Sequence, residues 1–136
     1  MVVFDYLTKI YYKDIDQMGL VYYARYFEFF EQARTELLNN MGISIAKFEA
    51  QGYFLPVVSA KCDYKKGMKL EDEIIVRTII KNISGARLKI NYEIYRSFDN
   101  CLLATGETIH GFINKKGAPR RPPKFFINKF LSSTSD

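Results

Sequence analysis

The hydrophobic pattern of the chain changes period twice. Residues 3–12 are rich in valine, isoleucine, tyrosine and phenylalanine, which predicts a first strand. After the irregular segment at 13–19, apolar residues recur at Tyr23, Tyr26, Phe27, Phe30, Ala33, Leu37, Leu38 and Met41. That is the spacing of one helix face, and Glu28, Gln32, Thr35 and Asn39 occupy the opposite one. Gly42 stands where a left-handed cap would end the helix. Phe29 falls off the main apolar arc and is expected to serve a contact with another molecule.

Beyond Gly52 the period becomes two. One face carries Val58, Ala60, Cys62 and Tyr64, then Ile74, Val76, Thr78 and Ile80, then Leu88, Ile90, Tyr92 and Ile94, and last Leu102 through Phe112 at every second position. Short breaks at Lys66-Gly67, Ser84-Gly85 and Asp99-Asn100 are of the kind that joins antiparallel neighbours. The expected architecture is α+β: a strand, a long helix, then an antiparallel meander on which the helix packs. Pro119, Pro122 and Pro123 follow the last strand, so one domain is expected over 1–131 and a frayed tail over 132–136.

The 136 residues, 48% hydrophobic and 26% charged, are enough for one core without disulfides or a structural metal. Cys62 and Cys101 lack disulfide-framework or zinc-ligand spacing, and a reducing, cytoplasmic compartment is expected. Asp5 and Lys9 interrupt the N-terminus before a signal-peptide core develops, and no apolar run nears the roughly 18 residues of a membrane span. The Asn82-Ile83-Ser84 sequon is then accidental. The net charge of +5 is scattered, with clusters at Lys61, Lys65, Lys66 and Lys69 and at Lys115, Lys116, Arg120, Arg121 and Lys124. No nucleic-acid-binding motif accompanies them, so no nucleic-acid partner is expected.

The chemistry is narrowed by elimination. His110 is the only histidine, which removes multi-histidine metal sites, and no GxSxG elbow, P-loop or GxGxxG occurs. His110 lies inside an alternating strand and reads as a structural residue, packed or facing solvent. Carboxylates remain. The run Asp14-Ile15-Asp16-Gln17-Met18-Gly19 fails as a calcium loop, because Met18 and Arg25 fall where oxygen donors are required, and no metal site is expected. By themselves its aspartates read as a turn that satisfies nearby N–H groups. Their position directly before the long helix adds a second reading, in which Asp16 faces a carbonyl polarised by the helix start. Arg34 falls inside the apolar arc and calls for a partner, Glu31 or a carboxylate from another strand.

The run from Tyr12 to Tyr26, continuing through Glu31-Gln32-Ala33-Arg34-Thr35-Glu36 to Gly42, resembles the signature of the 4-hydroxybenzoyl-CoA thioesterase family of hotdog-fold proteins. Phe54 to Ser59, Leu103 to Thr108 and Pro119-Arg120-Arg121-Pro122 resemble that family in the same order, so nearly the whole chain is covered. The resemblance implies a hotdog fold, a sheet wrapped around one central helix, assembled as a homodimer or homotetramer. It implies hydrolysis of a small or medium acyl-CoA, aliphatic or aromatic, with coenzyme A entering as part of the substrate and no separate cofactor. By resemblance Asp16 is the catalytic carboxylate, as nucleophile or as general base. The Tyr23 backbone N–H polarises the thioester carbonyl, and Gly19 keeps the turn open for the acyl group. Tyr23 stands where many members acting on short or medium acyl-CoA carry histidine and the aromatic-acyl branch can carry tyrosine. Arg25 replaces the usual asparagine. Lys65, Lys66, Arg120 and Arg121 are the candidates for the coenzyme A phosphates. The rivals are hydrolysis of acyl-carrier protein and a non-catalytic module that binds acyl-CoA.

Overall fold

The computed structural model describes residues 1–134. In chain order its elements are β1 (Val2–Lys9), a 3-10 turn (Tyr12–Asp14), α1 (Arg25–Asn40), α2 (Ile45–Ala50), β2 (Val57–Tyr64), β3 (Glu73–Ile80), β4 (Ile83–Ser84), β5 (Arg87–Arg96), β6 (Cys101–Gly111) and α3 (Lys124–Ser133). The strands form one antiparallel sheet in the order β1-β3-β5-β6-β2, with β4 paired to β5. The α+β hotdog architecture expected from the sequence is the one observed.

The sheet core follows the alternation: Ile74, Val76, Thr78 and Ile80 of β3 and Leu88, Ile90, Tyr92 and Ile94 of β5 are all buried. Against them α1 buries Tyr26, Phe29, Phe30, Ala33, Leu37 and Leu38. Phe29 is therefore a core residue, 4% exposed, and not an outward contact. It lies three residues after Tyr26 and four before Ala33, so it shares their face, and the buried arc is wider than the apolar spacing alone implied. The helix ends in a Schellman motif, with Gly42 at φ +84, its N–H on Asn39 O, and the Ile43 N–H on Leu38 O at 2.8 Å.

α1 lies along β1 and β3 and reaches β6 through one tight side-chain contact, at Gly106. A Cβ there would collide with the ring of Phe30, which stacks on Tyr92 with centroids 4.3 Å apart. The bare backbone lets one aromatic ring lie directly on the strands.

The sheet is not a simple meander. β2 pairs with β6, whereas β3 lies between β1 and β5. The break at Lys66-Gly67 thus joins strands that are not neighbours. Leu103 O accepts the amides of both Lys65 and Lys66, which turns the chain off the end of β2. The connection then pairs Lys69 with Leu20 and Glu71 with Ile10, and delivers β3 beside β1. β2 is left as an edge strand with nearly every side chain open to solvent.

Two helices were not legible in the pattern. α2 is a short turn capped by Ser44, whose hydroxyl accepts the Lys47 N–H. α3 follows Pro123 and buries Phe126 and Phe130, one turn apart, with Phe126 against Phe48 and Phe112. It includes Ser132 and Ser133 of the expected tail, while 135–136 lie outside the described residues. β1 stops at Lys9, short of Tyr12, because the chain turns into the 3-10 segment. No helix among the described residues is long and apolar enough to cross a membrane.

The contact at Gly106 gives a direct test of this packing. Gly106→Ala should destabilise the fold by about 1–3 kcal/mol through overpacking. The check is chemical denaturation. An unchanged midpoint would show that Phe30 has room to move aside.

Candidate functional site

The two aspartates of the turn do different work. Asp14 is buried, and its carboxylate accepts the Tyr11 N–H at 3.0 Å and Lys13 Nζ at 2.8 Å. It ties down the 3-10 turn. Asp16 is exposed, and only its Oδ1 is engaged, accepting the Met18 N–H at 2.8 Å. Its backbone closes a tight loop: the Asp16 N–H donates to Leu20 O at 2.9 Å and the Gly19 N–H to Asp16 O at 3.0 Å. Gly19 sits at φ +77 with nothing within 4 Å of the position a Cβ would take. The backbone angle, rather than crowding, calls for glycine there, and the space beside it is open.

The loop runs straight into the start of α1. Ile15 bridges Val21, and the Tyr22 N–H donates to Asp14 O, so the Asp16 turn and the helix start lie side by side. α1 has no side-chain cap at Ala24, and among the described residues the N–H groups of Tyr23 and Ala24 meet no acceptor. These are the free donors of a helix N-terminus, with a partial positive charge behind them. Tyr23 is held from the other side, its carbonyl accepting the Tyr64 hydroxyl at 2.9 Å.

Tyr64 was missed as a site residue in the sequence, where it reads only as the last member of an alternating strand. It packs edge-on to Tyr26 at 4.7 Å and to Tyr23 at 6.5 Å. Burial of its hydroxyl pushes its pKa up to about 12, so it stays protonated and donates to Tyr23. Burial likewise pushes the neighbouring Cys62 thiol up to about 11, which leaves no thiolate at neutral pH and removes it as a nucleophile. Tyr22, tilted 42° against Tyr23 with centroids 4.6 Å apart, has its pKa raised chiefly by the neighbouring Tyr23 hydroxyl, with the Asp16 charge a smaller contributor.

The basic candidates divide into two groups. Lys65 and Lys66 are exposed, directly after Tyr64, on a loop tied to the Asp16 turn by the Val21 N–H to Met68 O bond and the Leu20–Lys69 bridge. Arg120 lies elsewhere. Its guanidinium sits 3.9 Å over the Tyr53 ring and donates to Gly52 O at 3.2 Å, which pins the segment before β2 to the segment before α3. Arg121 beside it is exposed. The two groups flank opposite ends of β2, roughly 23 Å apart by strand rise. A cleft of about 520 Å³ lies at the Arg120 end, between Glu49, Phe54, Pro56, Ile113 and Lys116.

Arg34 has no carboxylate partner among the described residues. Glu31 stays on the exposed side of α1, while Arg34 lies near Tyr92 and His110 and lines a small cavity with the latter. There it meets a buried polar row. Tyr92 OH lies 2.7 Å from Thr108 Oγ1, which lies 2.9 Å from His110 Nε2, and His110 Nδ1 lies 3.1 Å from Leu55 O. Because a carbonyl only accepts, Nδ1 carries the proton. Thr108 then donates to Nε2 and accepts from Tyr92. Of the two structural readings open to its strand position, His110 takes the packed one. Its pKa falls from 6.5 to about 4, first because burial disfavours the charged ring and then because Arg34 is near.

Comparison with known proteins places these features in context. The profile of the thioesterase-like superfamily matches residues 11–130. The acyl-CoA thioester hydrolase YbgC of Escherichia coli is 30% identical over 129 residues, which cover 94% of this chain and 96% of that protein. The acyl-CoA thioesterase YbgC of Haemophilus influenzae is 33% identical over 107 residues, covering 78% and 76%. Among solved structures, the DHNA-CoA thioesterase of Staphylococcus aureus superposes with a TM-score of 0.88 at 28% identity, covering 97% of this chain and 89% of that one.

The depressed pKa of His110 has a measurable consequence. A histidine of folded pKa about 4 and unfolded pKa 6.5 contributes stability that is full above about pH 6.5 and is lost as the pH falls to about 4. The loss should approach roughly 3 kcal/mol. Denaturation midpoints across that window check it, and a flat profile from His110 would contradict its burial as the neutral form.

Proposed function

The chain belongs to the thioesterase-like superfamily as a hotdog-fold thioester hydrolase, and from that premise we propose that it cleaves small or medium acyl-CoA with Asp16 as the reacting carboxylate. The observation that carries this reading is the pairing, on one loop, of a carboxylate with a free Oδ2 and a helix start with free donors at Tyr23 and Ala24.

The thioester carbonyl oxygen sits on the Tyr23 N–H, where the charge that develops on it is stabilised. Asp16 either takes a proton from water as water attacks the carbonyl carbon, or attacks that carbon itself to form an anhydride that water then opens. In both routes the C–S bond breaks, coenzyme A leaves as the thiol, and the fatty or aromatic acid is released. Gly19 leaves room for the acyl group. Lys65 and Lys66, free of ion pairs among the described residues and next to Tyr64, face the phosphates.

The edge strand β2 supports a homodimer with the site at the subunit boundary. Its outward N–H and C=O groups are unpaired and Val57, Val58 and Tyr64 are 43%, 54% and 45% exposed, an edge that proteins cover. Antiparallel pairing of β2 with its own copy sets Tyr64 beside the partner's Val57. It also brings Lys65 and Lys66 to the partner's Arg121 and to the cleft at that end. Two basic groups that lie far apart in one chain then flank a single site. Arg120, already committed to Tyr53 and Gly52, shapes this end, and pairing of two dimers gives the tetramer. The compartment that suits this chemistry is the cytoplasm.

Asp16→Asn should lower kcat at least about 10²-fold, with the fold and acyl-CoA binding retained, when free thiol release is followed on an acyl-CoA panel. Near-normal turnover would end the assignment. Single turnover in ¹⁸O-labelled water tests for the anhydride, since label enters Asp16 only when water opens an anhydride at the Asp16 carbonyl carbon. Replacing Lys65 and Lys66 together by alanine should raise KM for acyl-CoA about tenfold, leave kcat nearly unchanged, and lose its effect at high salt. Equal KM values at low salt would show the two lysines to be a solvated face. An effect seen only with acyl-carrier protein, as slower association, would point to that carrier as the substrate.

A further inference from the structure

We propose that His110 is a positioning residue for the acyl wall of the site, acting through the Leu55 carbonyl on the start of β2. The inference rests on the reading that β2 lines the site of a second copy.

The start of β2 is poorly held by its own backbone. Val57 pairs with His110 but Ser59 pairs with Ile109, so Val58 is an extra residue in the strand, a bulge. Pro56, just before it, has no N–H to give to β6. Outside the ladder pairs, the segment is tied by the Gly111 N–H to Pro56 O at 3.2 Å and by the paired Phe54–Ile113 bonds at 3.0 Å. Between them the carbonyl of Leu55 finds its partner in a side chain, the Nδ1–H of His110 at 3.1 Å. The imidazole supplies a tie that proline and the bulge have removed from the ladder.

Packing supplies it only in part, since Leu55 is partly buried against the core. A cavity of about 40 Å³ lies against Leu55, lined also by Arg34, Leu38, Ile45, Ile90 and His110. Leu55 therefore has free space on its inner side, and the hydrogen bond sets where its carbonyl stands. The ring is in turn fixed by the Thr108 hydroxyl on Nε2 and by Tyr92 beyond it, two residues that are 2% and 1% exposed. The row runs from the core to the one segment that carries two consecutive exposed valines, Val57 and Val58. Those valines are the apolar surface that meets the acyl group bound at the partner's Tyr23. Asp16 is on another loop, so loosening this wall alters acyl fit and leaves the reacting groups in place.

The test compares His110→Phe, which keeps the ring and loses both nitrogens, with His110→Asn, whose side-chain N–H stands near the position of Nδ1–H. Kinetics on acyl-CoAs of increasing chain length and on an aromatic acyl-CoA are combined with amide hydrogen exchange at residues 54–58. For His110→Phe, KM for the preferred substrate should rise about tenfold with kcat within about twofold, and the chain-length preference should flatten. Exchange at 54–58 should accelerate. His110→Asn should restore the preference and the slow exchange. Equal preference and equal exchange in wild type and both variants would overturn the proposal, as would equal losses in both, which mark a merely structural ring. The exchange measurement decides the positioning by itself, so a wild-type chain that cleaves no acyl-CoA counts against the proposed function and not against His110.

Discussion

The depth to which Phe30 sinks onto the sheet governs the rest of the structure. Gly106 offers no Cβ, so the ring lies on bare backbone and stacks on Tyr92, which ties α1 to β5 and β6 through one side chain while its backbone lies nearest β1 and β3. One end of the helix is thereby set beside Tyr64, whose hydroxyl holds the Tyr23 carbonyl. One face is set over the row from Tyr92 through Thr108 to His110. A helix standing an ångström further out would lose both, because hydrogen bonds near 2.8 Å tolerate little displacement. The packing of one ring thus fixes the geometry of the helix start and the footing of β2.

The loop before the helix separates holding from acting. Asp14 spends both oxygens on its surroundings, and Asp16 spends one. Such a division suits a carboxylate that must reach a reacting carbon, since its turn is stabilised by the neighbouring acid. The donors opposite are equally unspent, because the helix begins without a capping side chain. A serine or aspartate at the cap would stabilise α1 by about 1 kcal/mol and would fill the position where a carbonyl oxygen can bind. Leaving it uncapped is a local loss of stability at the place where ligand binding gains from it.

Local periodicity made the helix, its glycine cap and the alternating strands legible, because each follows from residues within a turn or two of one another. The relation of Asp16 to the helix start was legible for the same reason. What depends on distant partners was not. The order of the sheet is set by where Leu103 and Leu20 receive the 65–69 connection, and no residue in that loop announces it. Phe29 looked outward on a narrow helical arc, but the sheet curves far enough to bury it. Arg34 was expected to find an acid and lies instead near the neutral Tyr92 and His110, with no carboxylate partner among the described residues. Arg120 reads as one more loop charge until Tyr53, far away in sequence, lies beneath it. α3 was hidden because its apolar residues follow three prolines, and only Phe48 and Phe112 give them a surface.

In the proposed function, the exposed carboxylate at one end of β2, the apolar bulge and cleft at the other, and the open edge between them serve as two halves of a site. The central claim is that a second copy joins these halves. Subunit complementation tests it most directly. Asp16→Asn removes the carboxylate and Val58→Trp fills the wall, so each variant alone should be nearly inactive. In co-expressed hybrids one of the two sites carries both defects and the other carries neither, and about a quarter of wild-type activity should return. A co-expressed mixture as inactive as its two parents, or a fully active Val58→Trp, would contradict a site shared between subunits.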